Sequence, residues 1–187
     1  MKTTEKKILL AATKLFSEYG YSGVSTKKIA EHAGVNELTL FRLFKTKANL
    51  LQAVIRHFAY EGNIVEKISH DITGDIQKDI QIFADVYYMF LQNNIKMYKI
   101  QIREIDEEGI RFTNSIDYTE FMKEYFTKQV ALGKFKGDPF LVATSIVSMI
   151  MGIFTLKVFA PDIYHGTDYR LLINKFVENL SLLYCVK

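Results

Sequence analysis

The groups in this chain that could do chemistry are mostly positive charges, and the excess is gathered at one end. Residues 1 to 47 hold nine Lys or Arg (Lys2, Lys6, Lys7, Lys14, Lys27, Lys28, Arg42, Lys45, Lys47) against four acids (Glu5, Glu18, Glu31, Glu37), a balance of +5, while the remainder holds 15 basic and 17 acidic residues. Positive charge concentrated in this way suits binding to nucleic-acid phosphates; by itself it also describes a merely solvated basic surface. Other chemistry finds little footing. The sequence has no glycine-rich phosphate loop and no G-x-S-x-G motif, and His32, His57, His70 and His165 lie far apart without metal-ligand spacing. Glu104, Asp106, Glu107 and Glu108 are the only dense acids and read as a solvated helix end rather than a metal site or an acid/base pair. No metal, cofactor or enzymatic reaction is expected. The single cysteine, Cys185, excludes an internal disulfide framework and suits a reducing cytoplasm. Within SLLYCV it reads as a small packed hydrophobe.

Something must position the basic residues, and the segment Thr26 to Lys45, TKKIAEHAGVNELTLFRLFK, has the pattern to do so. Ile29, Ala30 and Ala33 fall at helical spacing, Gly34 supplies the positive φ of a tight inter-helix turn, and Val35 is expected to plug inward. Asn36 can cap a second short helix whose Leu40, Leu43 and Phe44 form an apolar stripe directed back at the first. The pair reads as a helix-turn-helix whose second helix is shaped to enter a DNA groove, although an ordinary αα-hairpin shares the short glycine turn. A third helix precedes it: Lys2 to Tyr19 carries Ile8, Ala11, Ala12, Leu15, Phe16 and Tyr19 on one face, with Gly20 as a stop. After Thr46-Lys47, the periodic Leu50, Leu51, Val54, Ile55 and Phe58 predict a long helix toward His70.

The stretch ILLAATKLFSEYGYSGVSTKKIAEHAGVNELTLFRLFKTKANLLQAV resembles, without gaps, the N-terminal DNA-binding domain of the TetR/AcrR family of bacterial transcriptional regulators. The resemblance implies about nine helices: a three-helix helix-turn-helix domain over residues 1–47 and a larger effector-binding and dimerisation domain over 48–187. It implies a ligand-responsive regulator, a repressor rather than an activator, that binds a double-stranded DNA operator as a homodimer and is released by a small, largely apolar effector. Geometry asks for two copies as well. One short recognition helix touches few base pairs, so specificity needs two half-sites about 34–36 Å apart, or a multiple of this, in a near-palindromic operator.

By the same resemblance, Thr26 and Lys27 present a hydroxyl, backbone N–H groups and an ammonium to the duplex at the start of the first helix. Asn36, Glu37, Leu38, Thr39 and Phe41 then lie on the recognition helix, with Arg42 alongside, Lys45 adding positive charge and Lys47 anchoring a phosphate. Two positions depart from the usual family pattern. Glu37 stands where a basic or neutral polar residue is common, and Phe41 replaces the more frequent tyrosine. Glu37 repels phosphates unless it accepts from a cytosine N4, which would give the half-site a cytosine preference; it also simply favours its own helix N-terminus.

The rest of the chain sets the bounds. With 49% hydrophobic residues, two prolines, and no repeat, low-complexity tract or sustained strand alternation, the reading is all-α. Helices are predicted over Ile76 to about Gln92, Ile95 to Glu108 (ended by Gly109), Ser115 to Leu132 (closed by Gly133), a run capped by Asp138 and ended by Ala160-Pro161, and a last one starting at Thr167 or Asp168. Tyr87, Tyr88, Tyr98, Phe112, Phe121 and Tyr125 are candidate effector-pocket residues, since Tyr hydroxyls among apolar rings suit an amphipathic or aromatic molecule; aromatics at this spacing also make ordinary core. The uncharged run Phe140 to Leu156 falls short of the ~20 apolar residues a bilayer span generally takes. A buried helix facing its own core on one side and a second copy on the other fits it better than a membrane. Ser148 and Gly152 would permit close approach there, and Ile146, Met149, Ile150, Ile153, Phe176, Leu180 and Leu183 are candidate dimer contacts. The N-terminus leads into an amphipathic helix rather than a signal peptide, so a cytoplasmic location is expected. The alternatives are a helical small-molecule-binding protein or enzyme that does not act on DNA, and a membrane-associated protein.

Overall fold

A computed structural model describes residues 3–58, 64–104, 113–164, 166 and 168–186. They form α1 (Thr3–Tyr19), α2 (Thr26–Ala33), α3 (Glu37–Phe44), α4 (Lys47–Phe58), α5 (Ile64–Ser69), α6 (Ile76–Asn93), α7 (Ile95–Arg103), α8 (Thr113–Ala131), α9 (Pro139–Phe159) and α10 (Tyr169–Tyr184), with a 3-10 turn at Pro161–Tyr164. The fold is all-α; the one extended pairing among the described residues is an isolated bridge between Phe135 and Cys185. Local chemistry sets the helix ends. Asp138 accepts from the Leu141 N–H at 2.7 Å, and Asp168 from that of Arg170 at 2.9 Å. Each satisfies a donor that the first turn leaves orphaned. The helix expected from Lys47 to His70 is described over two stretches, α4 and α5; residues 59–63 between them, and the expected stop at Gly109, lie outside the described residues.

Two compact units emerge, and one is discontinuous in sequence: α1–α4 pack with α7, while α5, α6 and α8–α10 form the other. In the first, Ile8, Phe16, Ile29 and Leu40 share one apolar core with Leu50, Leu51 and Val54 of α4 and with Met97 and Ile100 of α7. The boundary expected at 47/48 therefore falls inside a packed body. The α4 stripe, legible as a periodic pattern, is buried against α1 instead of starting a separate domain. Leu43, expected on the inward stripe of α3, is 38% exposed. On an eight-residue helix, Leu40 and Phe44 point at the core, and Leu43 lies about 80° from the midline between them.

In the second unit Phe83 of α6 is fully buried and makes edge-to-face contacts with Tyr118, Phe121, Tyr125 and Phe126 of α8. A buried carboxylate, Asp79, lies in the same helix. It accepts from the Thr73 N–H (2.8 Å), the Thr73 hydroxyl (2.7 Å), the Gly74 N–H (2.9 Å) and the Tyr125 hydroxyl (2.6 Å). This ties the DITGD corner to α8.

Helix α9 has one buried face of Val142, Ala143, Ile146, Val147, Ile150, Ile153 and Phe154. Three of the candidate dimer contacts, Ile146, Ile150 and Ile153, are thus spent on the chain's own core, as is Leu180 of α10. Met149 and Phe176 are half-buried, and Leu183 is exposed. Because α9 is apolar on nearly every side, hydropathy could not say which of its residues face inward. The exposed side carries Leu141, Ser148, Gly152 and Phe159. By length and composition alone α9 could cross a bilayer, a test that the core helix of a soluble protein also passes.

Candidate nucleic-acid interface

Short-range hydrogen bonds build the corner that the motif predicts. Ser25 accepts from the Lys28 N–H at the start of α2, and Asn36 Oδ1 accepts from the Leu38 N–H at 2.8 Å at the start of α3. Between the helices Gly34 adopts φ 66°, which lets its own N–H and that of Val35 reach back to Glu31 and Ala30. A side chain there would be strained in the left-handed region. Val35 is half-buried and packs on the core of this unit, as expected.

With Leu40 and Phe44 inward, the opposite side of α3 is open. Leu38 is 76% exposed and Phe41 40%, with Arg42 and Asn36 also exposed and Thr39 half-buried. Large apolar groups left uncovered beside cations fit contact with base edges and thymine methyls better than contact with water alone. Lys27 and Lys45 are exposed, and Lys47 is half-buried. Thr26 and Glu37 make a contact the sequence did not reveal: the Thr26 hydroxyl donates to Glu37 Oε1 at 2.7 Å. The hydroxyl offered to phosphate is thereby engaged with the acid of the recognition helix, and the bond pins α2 to α3.

The α3–α4 corner is tight. Lys45 has φ 67° and ψ −50°, and the Thr46 N–H reaches back to the Phe44 carbonyl at 2.8 Å, a γ-turn of the rare strained form. The Thr46 hydroxyl then accepts from the Asn49 N–H at 3.0 Å and caps α4, leaving Lys47 as its first residue. A cation at a helix N-terminus, with N–H groups pointing outward, suits a phosphate oxygen. Lys45→Gly is expected to raise the unfolding free energy by about 1 kcal/mol, because glycine takes a positive φ at no steric cost. Urea denaturation checks this; a lowered midpoint would show that the turn holds no strain.

The Lys47 ammonium sits 4.2 Å above the centre of the Tyr21 ring, an attraction between the cation and the negative ring face. Burial pulls its pKa below the ordinary lysine value, with the Glu104 carboxylate acting in the opposite direction. Glu104 Oε1 also accepts from the Tyr21 N–H at 2.7 Å. Glu104 is therefore no solvated helix end. Sequence reasoning missed it and Tyr21, since 83 residues separate the two and no local pattern links them. Asp106, Glu107 and Glu108 lie outside the described residues.

The candidate effector residues are only partly brought together. Tyr87 and Tyr125 are buried in the second unit, where Tyr87 shares a hydrogen bond with Ser115 at 2.7 Å. Tyr88 accepts from Lys157 Nζ at 2.6 Å, and Phe121 is half-buried against Phe83. Tyr98 belongs to the first unit, because α7 packs there, and Phe112 lies outside the described residues. A groove of about 670 Å³ between α6 and α10 is lined by polar residues including Asp75, Lys78, Gln81, Asp85 and Arg170, and by none of these aromatics. No cluster of three metal-ligating side chains occurs among the described residues.

Comparison with known proteins agrees with this architecture. Residues 8–54 match the model for bacterial regulatory proteins of the tetR family. The chain is 29% identical over 171 residues to the uncharacterized HTH-type transcriptional regulator YvkB of Bacillus subtilis, covering 87% of each. Among solved structures, AibR in complex with isovaleryl coenzyme A and operator DNA superposes with a TM-score of 0.72 at 21% identity, covering 95% of this chain and 97% of that one. The regulator FadR of Bacillus subtilis in complex with stearoyl-CoA gives 0.67 at 21% identity, covering 94% and 96%.

Proposed function

We propose, from the premise that this chain belongs to the tetR family of bacterial regulatory proteins and is a transcriptional regulator, that it is a ligand-responsive repressor acting as a homodimer on a near-palindromic operator. The observation that carries the reading is the outward face of α3: Leu38, Phe41 and Arg42 stand uncovered on a helix flanked along the chain by Lys27 before it and by Lys45 and Lys47 after it. In this reading the residues up to Lys47 supply the DNA contacts and those beyond it supply effector binding and dimerisation, although α4 and α7 pack with the DNA-contacting helices. Leu38 and Phe41 meet base edges, Glu37 reads an amino group with the oxygen that Thr26 leaves open, and the lysines take phosphates.

The second copy docks on the exposed side of α9. Leu141, Ser145, Ser148, Gly152, Thr155 and Phe159 recur there at alternating steps of four and three, with small residues at the centre where two helix axes cross. Leu182 and Leu183 of α10, 75% and 61% exposed, are further apolar groups open to a second copy. The effector binds in the second unit, among the rings around Phe83, where half-buried Phe121 offers an apolar ligand its point of entry. AibR and FadR, which share the fold, hold acyl-CoA ligands. A ligand with an apolar tail fits the aromatic character of this unit equally well. Its binding favours a conformation that misplaces the two recognition helices for DNA. The location that follows is the cytoplasm, where DNA is available.

Selection of duplexes from a random pool tests the reading. An enriched near-palindrome with half-sites about 34–36 Å apart, or a multiple of this, is expected. Lys47→Ala should lower affinity for that duplex and reduce the slope of log affinity against log salt by about 1. An unchanged slope would remove Lys47 from the interface.

A further inference from the structure

We propose that Glu104, at the C-terminal end of α7, is a positioning residue for DNA binding: through Tyr21 it fixes the ammonium of Lys47 at the start of α4. The inference rests on the reading of the α3–α4 corner as the DNA-binding site. It is carried by a grip that two successive residues, Arg103 at the end of α7 and Glu104 just after it, exert on the end of α1. Arg103 Nη1 donates to the Ser17 and Glu18 carbonyls at 3.0 and 2.9 Å, in the last turn of α1, where carbonyls have no partner within the helix. Glu104 Oε1 accepts from the Tyr21 N–H, two residues beyond the end of that helix. The α1–α2 corner cannot swing without breaking these three hydrogen bonds. Its Tyr21 ring leans on buried Phe16, at 5.6 Å between ring centres, and the opposite demand on that ring comes from Lys47.

The alternative role for an acid near a phosphate anchor is electrostatic: it would weaken attraction to DNA. The two roles predict opposite signs. If Glu104 acts only by charge, removing the charge tightens binding. If it positions, what matters is an acceptor for the Tyr21 N–H, which glutamine keeps and alanine lacks.

Full-length wild type, Glu104→Gln, Glu104→Ala, Lys47→Ala and the Glu104→Ala/Lys47→Ala double variant are titrated with one duplex recovered by selection from a random pool on the wild-type protein, over a range of salt concentrations. Glu104→Ala is expected to bind about tenfold more weakly and to flatten the salt slope by about 1, as though Lys47 had dropped out. Glu104→Gln restores binding to within about threefold of wild type, and Glu104→Ala adds less than about twofold in the Lys47→Ala background, the non-additivity of two residues acting through one contact. Binding by Glu104→Ala as tight as wild type or tighter, or losses that multiply in the double variant, overturns the proposal while leaving the DNA-binding reading intact. Should Glu104→Ala fail to fold by circular dichroism, Tyr21→Leu replaces it. That variant keeps the backbone N–H, loses the ring under Lys47, and must show the same loss and the same non-additivity. Failure of the selection to enrich any duplex overturns this proposal together with the reading it rests on.

Discussion

Asp79→Ala is expected to lower the unfolding free energy by about 3–5 kcal/mol, because hydrogen bonds to a charged group contribute about 1.5–3 kcal/mol each and several are lost together. Asp79 is fully buried in α6, and four donors converge on its two oxygens. Alanine leaves the buried Tyr125 hydroxyl without its acceptor, an orphaned donor that costs about 1–3 kcal/mol, and removes the part-buried bonds from Thr73 and Gly74. Burial and the neighbouring Asp79 also push the pKa of the Tyr125 hydroxyl well above its ordinary value, so it remains a donor throughout the neutral range. Asp79→Asn should fall between: its amide oxygen can keep the Thr73 bonds, while its NH₂ group is turned on the Gly74 N–H. Urea denaturation measures this as a shift in midpoint at constant slope. A loss below about 1 kcal/mol for Asp79→Ala would show that the network does not hold the α6–α8 corner.

Gly152→Arg is the second large effect, and it acts on assembly instead of folding. A Cβ added at Gly152 meets nothing within 4 Å, and the position is exposed, so a side chain can leave the helix there without meeting its neighbours at the first atom. Replacing a helical glycine also gains about 1 kcal/mol of helix propensity. An arginine at the centre of the proposed α9 crossing nevertheless holds the two helices apart and buries an unpaired charge. Helical content should stay the same, while light scattering reports a monomer. Affinity for the selected duplex should then fall by a factor of about 10²–10⁴, the typical gain from linking two binding events. A Gly152→Arg protein that remains dimeric, or binds DNA as wild type does, would place the contact between copies elsewhere.

What the sequence disclosed and what it withheld divide along physical lines. Features set by neighbours within a turn were legible: the α2–α3 turn at Gly34, the Asn36 and Asp138 caps, and the ends of α6, α8 and α9. The exposed positions of Leu38, Phe41 and Arg42 were implied by the family resemblance and not by the apolar pattern, since Leu38 and Phe41 are as apolar as the residues that face inward. Leu43 was misplaced, since a two-turn helix gives too few residues to centre the stripe. Ile146, Ile150 and Ile153 were assigned outward because a helix with no polar side carries no directional signal. Contacts between distant residues left no trace. Nothing near Glu104 announces Tyr21, nothing in α7 says which of two cores receives Met97 and Ile100, and the Thr26–Glu37 bond depends on the helix crossing itself.

The discontinuity of the first unit bears on how such a protein can be rebuilt. Met97 and Ile100, at 5% and 0% exposure, fill the underside of α1, and Arg103 closes its end. A fragment cut after α4 would leave that underside wet. A chimaera that fuses the head of this protein to the body of a relative must therefore carry its own α7 as an insert, or supply a donor helix with matching knobs. Recombination at a single crossover point, the simplest route by which headpieces could be exchanged during evolution, is disfavoured by packing alone, so the head and the helix that underpins it are expected to be inherited together.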